Sequence, residues 1–86
     1  MTELREHRLK RLAMRSMRRG IKEMDILLSG YAEQALAAMS EAELRLYDDL
    51  LQENDQDLYQ WVTGQVAAPE RFAAMISEIA QSRAKV

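Results

Sequence analysis

At 86 residues the chain has room for one domain at most, and the absence of cysteine excludes both a disulfide framework and a cysteine-held zinc. Apolar residues make up 48% of it, yet the longest apolar run, Ala35-Leu36-Ala37-Ala38-Met39, falls far short of the ~20 residues a membrane helix needs. The net charge of −2 hides a division: residues 1–22 carry +6 and the other 64 residues −8, a basic head on an acidic body. Such a head implies an anionic partner or packing against its own body. An overall acidic balance argues against nucleic acid, whose dedicated binders are strongly basic. The basic start is not followed by an apolar stretch of signal-peptide type, so a reducing compartment is expected.

Helical spacing recurs along the chain, whereas strand alternation does not. Leu9, Leu12, Ala13 and Met17 form the apolar stripe of a first helix over about residues 5–18. Gly20 stands where that helix would stop, with a left-handed backbone as one way of doing so. A second stripe follows in Ile21, Met24, Leu28, Tyr31 and Ala35, with a kink expected at Ser29-Gly30. Ser40-Glu41-Ala42-Glu43 reads as a capping box opening a third helix, whose apolar face is Leu44, Tyr47, Leu50 and Leu51. Asn54-Asp55 ends it and caps a short fourth helix with Leu58, Trp61 and Val62, which Gly64 closes. Pro69-Glu70 opens a fifth, with Phe72, Ile76, Ile79 and Ala80 on its inner face. The expected fold is all-α: a compact five-helix bundle of short helices, one domain over residues 1–86, with 1–7 and 84–86 as mobile tails.

Catalytic chemistry finds little support. His7 is the only histidine and lies in the basic head, so a nucleophile–base–orienter set would have to be built around it. Asp55-Gln56-Asp57 begins like a calcium loop, but Tyr59 and Gln60 occupy positions that need an acid and a glycine. No glycine loop could cradle a phosphate. The six methionines fall at core-like spacing and read mostly as gap-fillers. The expectation is therefore no catalytic residue, no metal and no stably bound cofactor: a binding or assembly module.

One segment departs from ordinary helix surface: Arg18-Arg19-Gly20-Ile21-Lys22-Glu23-Met24-Asp25. A glycine between two helices lets another backbone approach, and Arg19 beside it offers a planar fork for a carboxylate or phosphate. Glu23 complements the free amides of the second helix's first turn. A helix-capping glycine flanked by charged surface would read the same way.

The pair Arg19-Gly20-x-x-Glu23-x-Asp25 and Leu50-Leu51-x-x-x-Asp55-x-Asp57-Leu58-Tyr59-x-Trp61 resembles the succinate dehydrogenase assembly factor family, the flavinylation factors called SdhE in bacteria. The resemblance covers roughly residues 8–80. It implies a five-helix bundle that binds the flavoprotein subunit of succinate dehydrogenase, and in some bacteria of fumarate reductase, and promotes covalent attachment of FAD. The reacting histidine belongs to the target and the chemistry to the flavin. Carried over, the signature makes Arg19, Gly20 and Glu23 the partner-binding surface, with Asp25 at its edge and Arg18 and Lys22 beside it; Trp61 and Leu58 are read as core. The length resembles that of the bacterial cytoplasmic form, acting as a monomer without nucleic acid or membrane insertion. Two other readings stand beside it: an antitoxin-type protein-interaction module and a small nucleic-acid-binding helical domain.

Overall fold

A computed structural model describes residues 3–84. It contains α1 (Arg5–Arg15), α2 (Lys22–Ala35), a 3-10 turn (Leu36–Ala38), α3 (Glu41–Leu50), α4 (Asp55–Val62) and α5 (Glu70–Ala84), with no strand among the described residues. The local signals account for most boundaries. Ser40 accepts from the Glu43 amide at 3.1 Å while Glu43 accepts from the Ser40 amide at 2.9 Å, so the capping box is closed. Asn54 caps α4 by accepting from the Gln56 amide at 2.8 Å. Beyond α4, Gly64 takes a φ of 81°, and the Gln65 amide reaches back to the Gln60 carbonyl at 2.9 Å. That bond satisfies a carbonyl the helix end would leave open.

Helix α2 is the centre of the bundle and packs against α1, α4 and α5. Leu12, Met24, Leu28, Leu44, Tyr47, Leu50, Leu58 and Ile79 are fully enclosed, and Tyr31 and Tyr47 meet with ring centres 5.7 Å apart. The radius of gyration, 12.2 Å, is that of a single folded domain of this length. Ser16 is the one buried polar residue among those described. Its hydroxyl bonds the Leu12 carbonyl at 2.8 Å and the Tyr47 hydroxyl at 2.6 Å, so burial leaves it satisfied.

Several expectations are corrected. Helix α1 ends at Arg15, so Met17 lies in the following turn and is exposed, as is Met14; Met24, Met39 and Met75 are buried. Helix α2 runs unbroken through Ser29-Gly30. Arg5 to His7, expected in a mobile tail, form the first turn of α1, and residues 1, 2, 85 and 86 of the expected tails lie outside the described residues. Trp61 is only half-buried: it stacks on Phe72 at 6.2 Å while Leu58 is fully enclosed.

The basic head packs against its own body. Arg8 reaches Glu41 at 2.8 Å, Arg11 reaches Glu3 at 2.9 Å and Asp48 at 3.0 Å, and Arg15 also pairs with Asp48. Arg5 donates to the Met39 carbonyl at 2.7 Å. Partly exposed pairs like these are worth about 0–1 kcal/mol each, so they fix the seat of α1 more than they stabilise the domain.

Candidate partner-binding surface

The turn between α1 and α2 carries the signature residues. Arg18, with φ of 55°, is the non-glycine residue in the left-handed region, a place expected for Gly20. Gly20 keeps an ordinary backbone, and its missing side chain serves a different purpose. Its amide donates to Asp55 Oδ2, and a Cβ at this position would sit 3.2 Å from that oxygen. The glycine thus lets the α4 carboxylate close on the backbone.

Arg19 does not present its fork to solvent. Its Nε donates to Asp55 Oδ1 at 2.8 Å and Nη2 lies 2.7 Å from the same oxygen. Nη1 donates to the Arg15 carbonyl at 3.0 Å, and Nη2 also to the Leu51 carbonyl at 3.1 Å. The Arg19 and Asp55 side chains are only 12% and 14% exposed. One guanidinium therefore ties the end of α1, the end of α3 and the start of α4 together. The two motifs, 36 residues apart in the chain, are a single contact in space. Asp55 was legible as part of the second motif, but its role as the receiver of Arg19 was not.

What the clamp leaves facing outward is Arg18, Gly20, Lys22 and Glu23, all exposed; among the described residues Arg18 and Lys22 have no ion-pair partner. Asp25 is half-buried and accepts from the Ser29 hydroxyl at 3.3 Å, which turns it into the helix rather than toward the surface. Both acids belong to the first turn of α2, where negative charge is favoured. Glu23 also borders two depressions. One, about 340 Å³, is a mostly apolar groove lined by Ile26, Leu27, Gly30 and Tyr59 beside Glu23, with Gln34 and Ser82 also lining it. The other, about 320 Å³, is more polar and holds Gln56, Gln60 and Gln65. Ile26 stands 63% exposed beside the first. Sequence periodicity missed this groove because Ile26 and Gly30 lie off the core stripe.

His7 is exposed on α1, and no group of acids and histidines able to hold a metal occurs among the described residues. Burial pushes the Tyr47 hydroxyl up to about 12, a shift that belongs to the core and not to a reactive site.

Residues 10–83 match the family model described as flavinator of succinate dehydrogenase. The protein named succinate dehydrogenase assembly factor 2, mitochondrial, of Saccharomyces cerevisiae is 53% identical over 53 residues, 62% of this chain and 33% of that protein. The like-named protein of Meyerozyma guilliermondii is 46% identical over 61 residues, 71% of this chain and 45% of its own. That of Schizosaccharomyces pombe is 41% identical over 70 residues, 81% of this chain and 50% of its own. The chain thus spans a third to a half of the length of the curated relatives it matches. These relatives are named as mitochondrial proteins of fungi, which overturns the expectation of a bacterial cytoplasmic form. With the family model covering most of the chain and the helical bundle in agreement, this protein belongs to the flavinator of succinate dehydrogenase family.

Proposed function

We propose that this chain is a non-catalytic assembly factor that binds, as a monomer, the flavoprotein subunit of succinate dehydrogenase, and of fumarate reductase where one exists, and promotes covalent attachment of FAD to it. The observation that carries the reading is the Arg19–Asp55–Gly20 clamp. A largely desolvated ion pair and a left-handed Arg18 hold a short exposed turn in one shape. Strain and burial spent on a surface turn are characteristic of recognition sites. The outward residues Arg18, Lys22 and Glu23 mix charge of both signs, which suits a protein surface better than a phosphate lattice. Arg8, Arg11 and Arg15 of the head are also engaged by the chain's own carboxylates, which favours a protein partner over nucleic acid.

FAD itself is the substrate of the attachment, and the apolar groove does not suit it. The apolar groove has Glu23 as its charged lining residue, and that carboxylate would repel a diphosphate. Binding energy is instead directed at the flavoprotein. Holding a target in the conformation that presents its reacting side chain is a contribution of position alone, and position can be worth several kcal/mol. Capture on a tagged flavoprotein subunit tests the reading. The chain should be retained by the subunit lacking covalent flavin and released from the fully flavinylated one; no retention by either form refutes it.

A further inference from the structure

Gly30 has no structural reason to be a glycine. It lies inside α2 with an ordinary backbone, and a Cβ there would meet nothing within 4 Å. A helix-interior glycine weakens its helix relative to almost any other residue. The empty space over it is the groove of about 340 Å³, lined also by Ile26, Leu27 and Tyr59. Glu23 and Tyr59 border both this groove and the polar depression holding Gln56, Gln60 and Gln65. The two hollows adjoin at these two residues and are taken together as one trough beside α2 and α4, mostly apolar on the Gly30 side, where Gln34 also lines it, and glutamine-lined on the other. Glu23 is its charged group and lines both parts.

We infer that this trough receives an extended segment of the flavoprotein subunit, with an apolar side chain seated over Gly30 and a lysine or arginine beside it at Glu23. Charge complementarity picks out the basic residue, since the carboxylate is the lining charge of both hollows. The glutamine amides of the polar end supply donors and acceptors for the main chain of an extended strand. The apolar end supplies an open groove wide enough to seat one apolar anchor side chain. Ile21 and Glu23, which line the polar hollow, adjoin the exposed α1–α2 turn in the chain, so one partner can cover both. This assignment rests on the proposed function and names the feature of the partner that function would use.

Because the space over Gly30 is open, the trough can be filled without disturbing the core. Gly30→Leu, Gly30→Ala and Glu23→Gln would be compared with the unaltered chain by titration against purified flavoprotein subunit, with a melting curve for each. Gly30→Leu is expected to melt at the same temperature or higher and to bind about tenfold more weakly or worse. Gly30→Ala should fall between the two. Glu23→Gln should bind several-fold more weakly and with a shallower dependence on salt. Normal binding by Gly30→Leu, while the unaltered chain also binds, overturns the trough and leaves the assembly reading standing. Normal binding by Glu23→Gln overturns the basic residue. Failure of the unaltered chain to bind refutes the assembly reading itself. A dimer in sedimentation that Gly30→Leu dissociates would overturn the inference by giving the trough to a second copy of this chain.

Discussion

Removing the Asp55 carboxylate should unfold the signature turn before it affects the core. Asp55 accepts from Arg19 Nε at 2.8 Å and from the Gly20 amide, and its side chain is 14% exposed. Deleting one partner of a buried ion pair costs about 3–5 kcal/mol when the survivor is stranded. Here Arg19 keeps the Arg15 and Leu51 carbonyls at 3.0 and 3.1 Å, so the cost of Asp55→Ala should be nearer 2 kcal/mol. In a domain of this size that lowers the melting temperature by roughly 8–16 °C. Arg19→Ala should cost as much or somewhat more, because it takes a donor from the Asp55 carboxylate and from the Arg15, Leu51 and Glu53 carbonyls. The double variant should be less destabilised than the sum of the singles by about 1–2 kcal/mol, measured as urea unfolding in a double-mutant cycle. Single effects below about 0.5 kcal/mol that simply add would refute the clamp.

Other expected outcomes follow from the same geometry. Gly20→Ala should lower stability by about 0.5–1 kcal/mol through its 3.2 Å approach to Asp55 Oδ2, and Asp55→Ala should remove that penalty, as paired melting curves would reveal. Trp61→Ala should cost about 2–3 kcal/mol by urea unfolding, less than a fully enclosed aromatic, since the ring is half-buried against Phe72; a cost of about 5 kcal/mol would mean the ring is more enclosed than found. Glu43 is held below the usual carboxylate range, chiefly by the Ser40 amide and then by its hydroxyl. Its native form binds fewer protons than the unfolded one, so its contribution is present above the unfolded value and lost as pH falls through the folded one. The stability gap between the unaltered chain and Glu43→Gln should therefore shrink between about pH 5 and pH 3, which acid titration of the melting temperature would follow.

The features legible in the sequence are those that neighbouring residues determine. Ser40 and Glu43 lie three positions apart, Asn54 caps from the adjacent residue, and Gly64 supplies a left-handed turn only glycine adopts easily. Each is complete within one turn of chain. The Arg19–Asp55 pair is not, because Arg19 sits in the α1–α2 turn and Asp55 at the start of α4, and the two meet only once α2 and α4 have packed. For the same reason the sequence suggests an outward-facing Arg19 and allows a left-handed Gly20, whereas Arg19 is clamped, Arg18 is left-handed and the Gly20 amide is held by Asp55. Met17 continues the apolar stripe of α1 in spacing, but the helix stops at Arg15 and leaves it in solvent. The groove over Gly30 is defined by space that no side chain fills, which residue patterns do not encode.

The central claim is that this chain raises covalent flavin on its partner. Purified flavoprotein subunit lacking covalent flavin, incubated with FAD and then separated under denaturing conditions, retains fluorescence only where the bond has formed. Adding this chain should increase the rate at which that fluorescence appears. The Gly20→Arg variant, whose side chain cannot share space with Asp55, should give little of the increase. Equal fluorescence with and without the unaltered chain, at concentrations where the two proteins associate, would contradict the account.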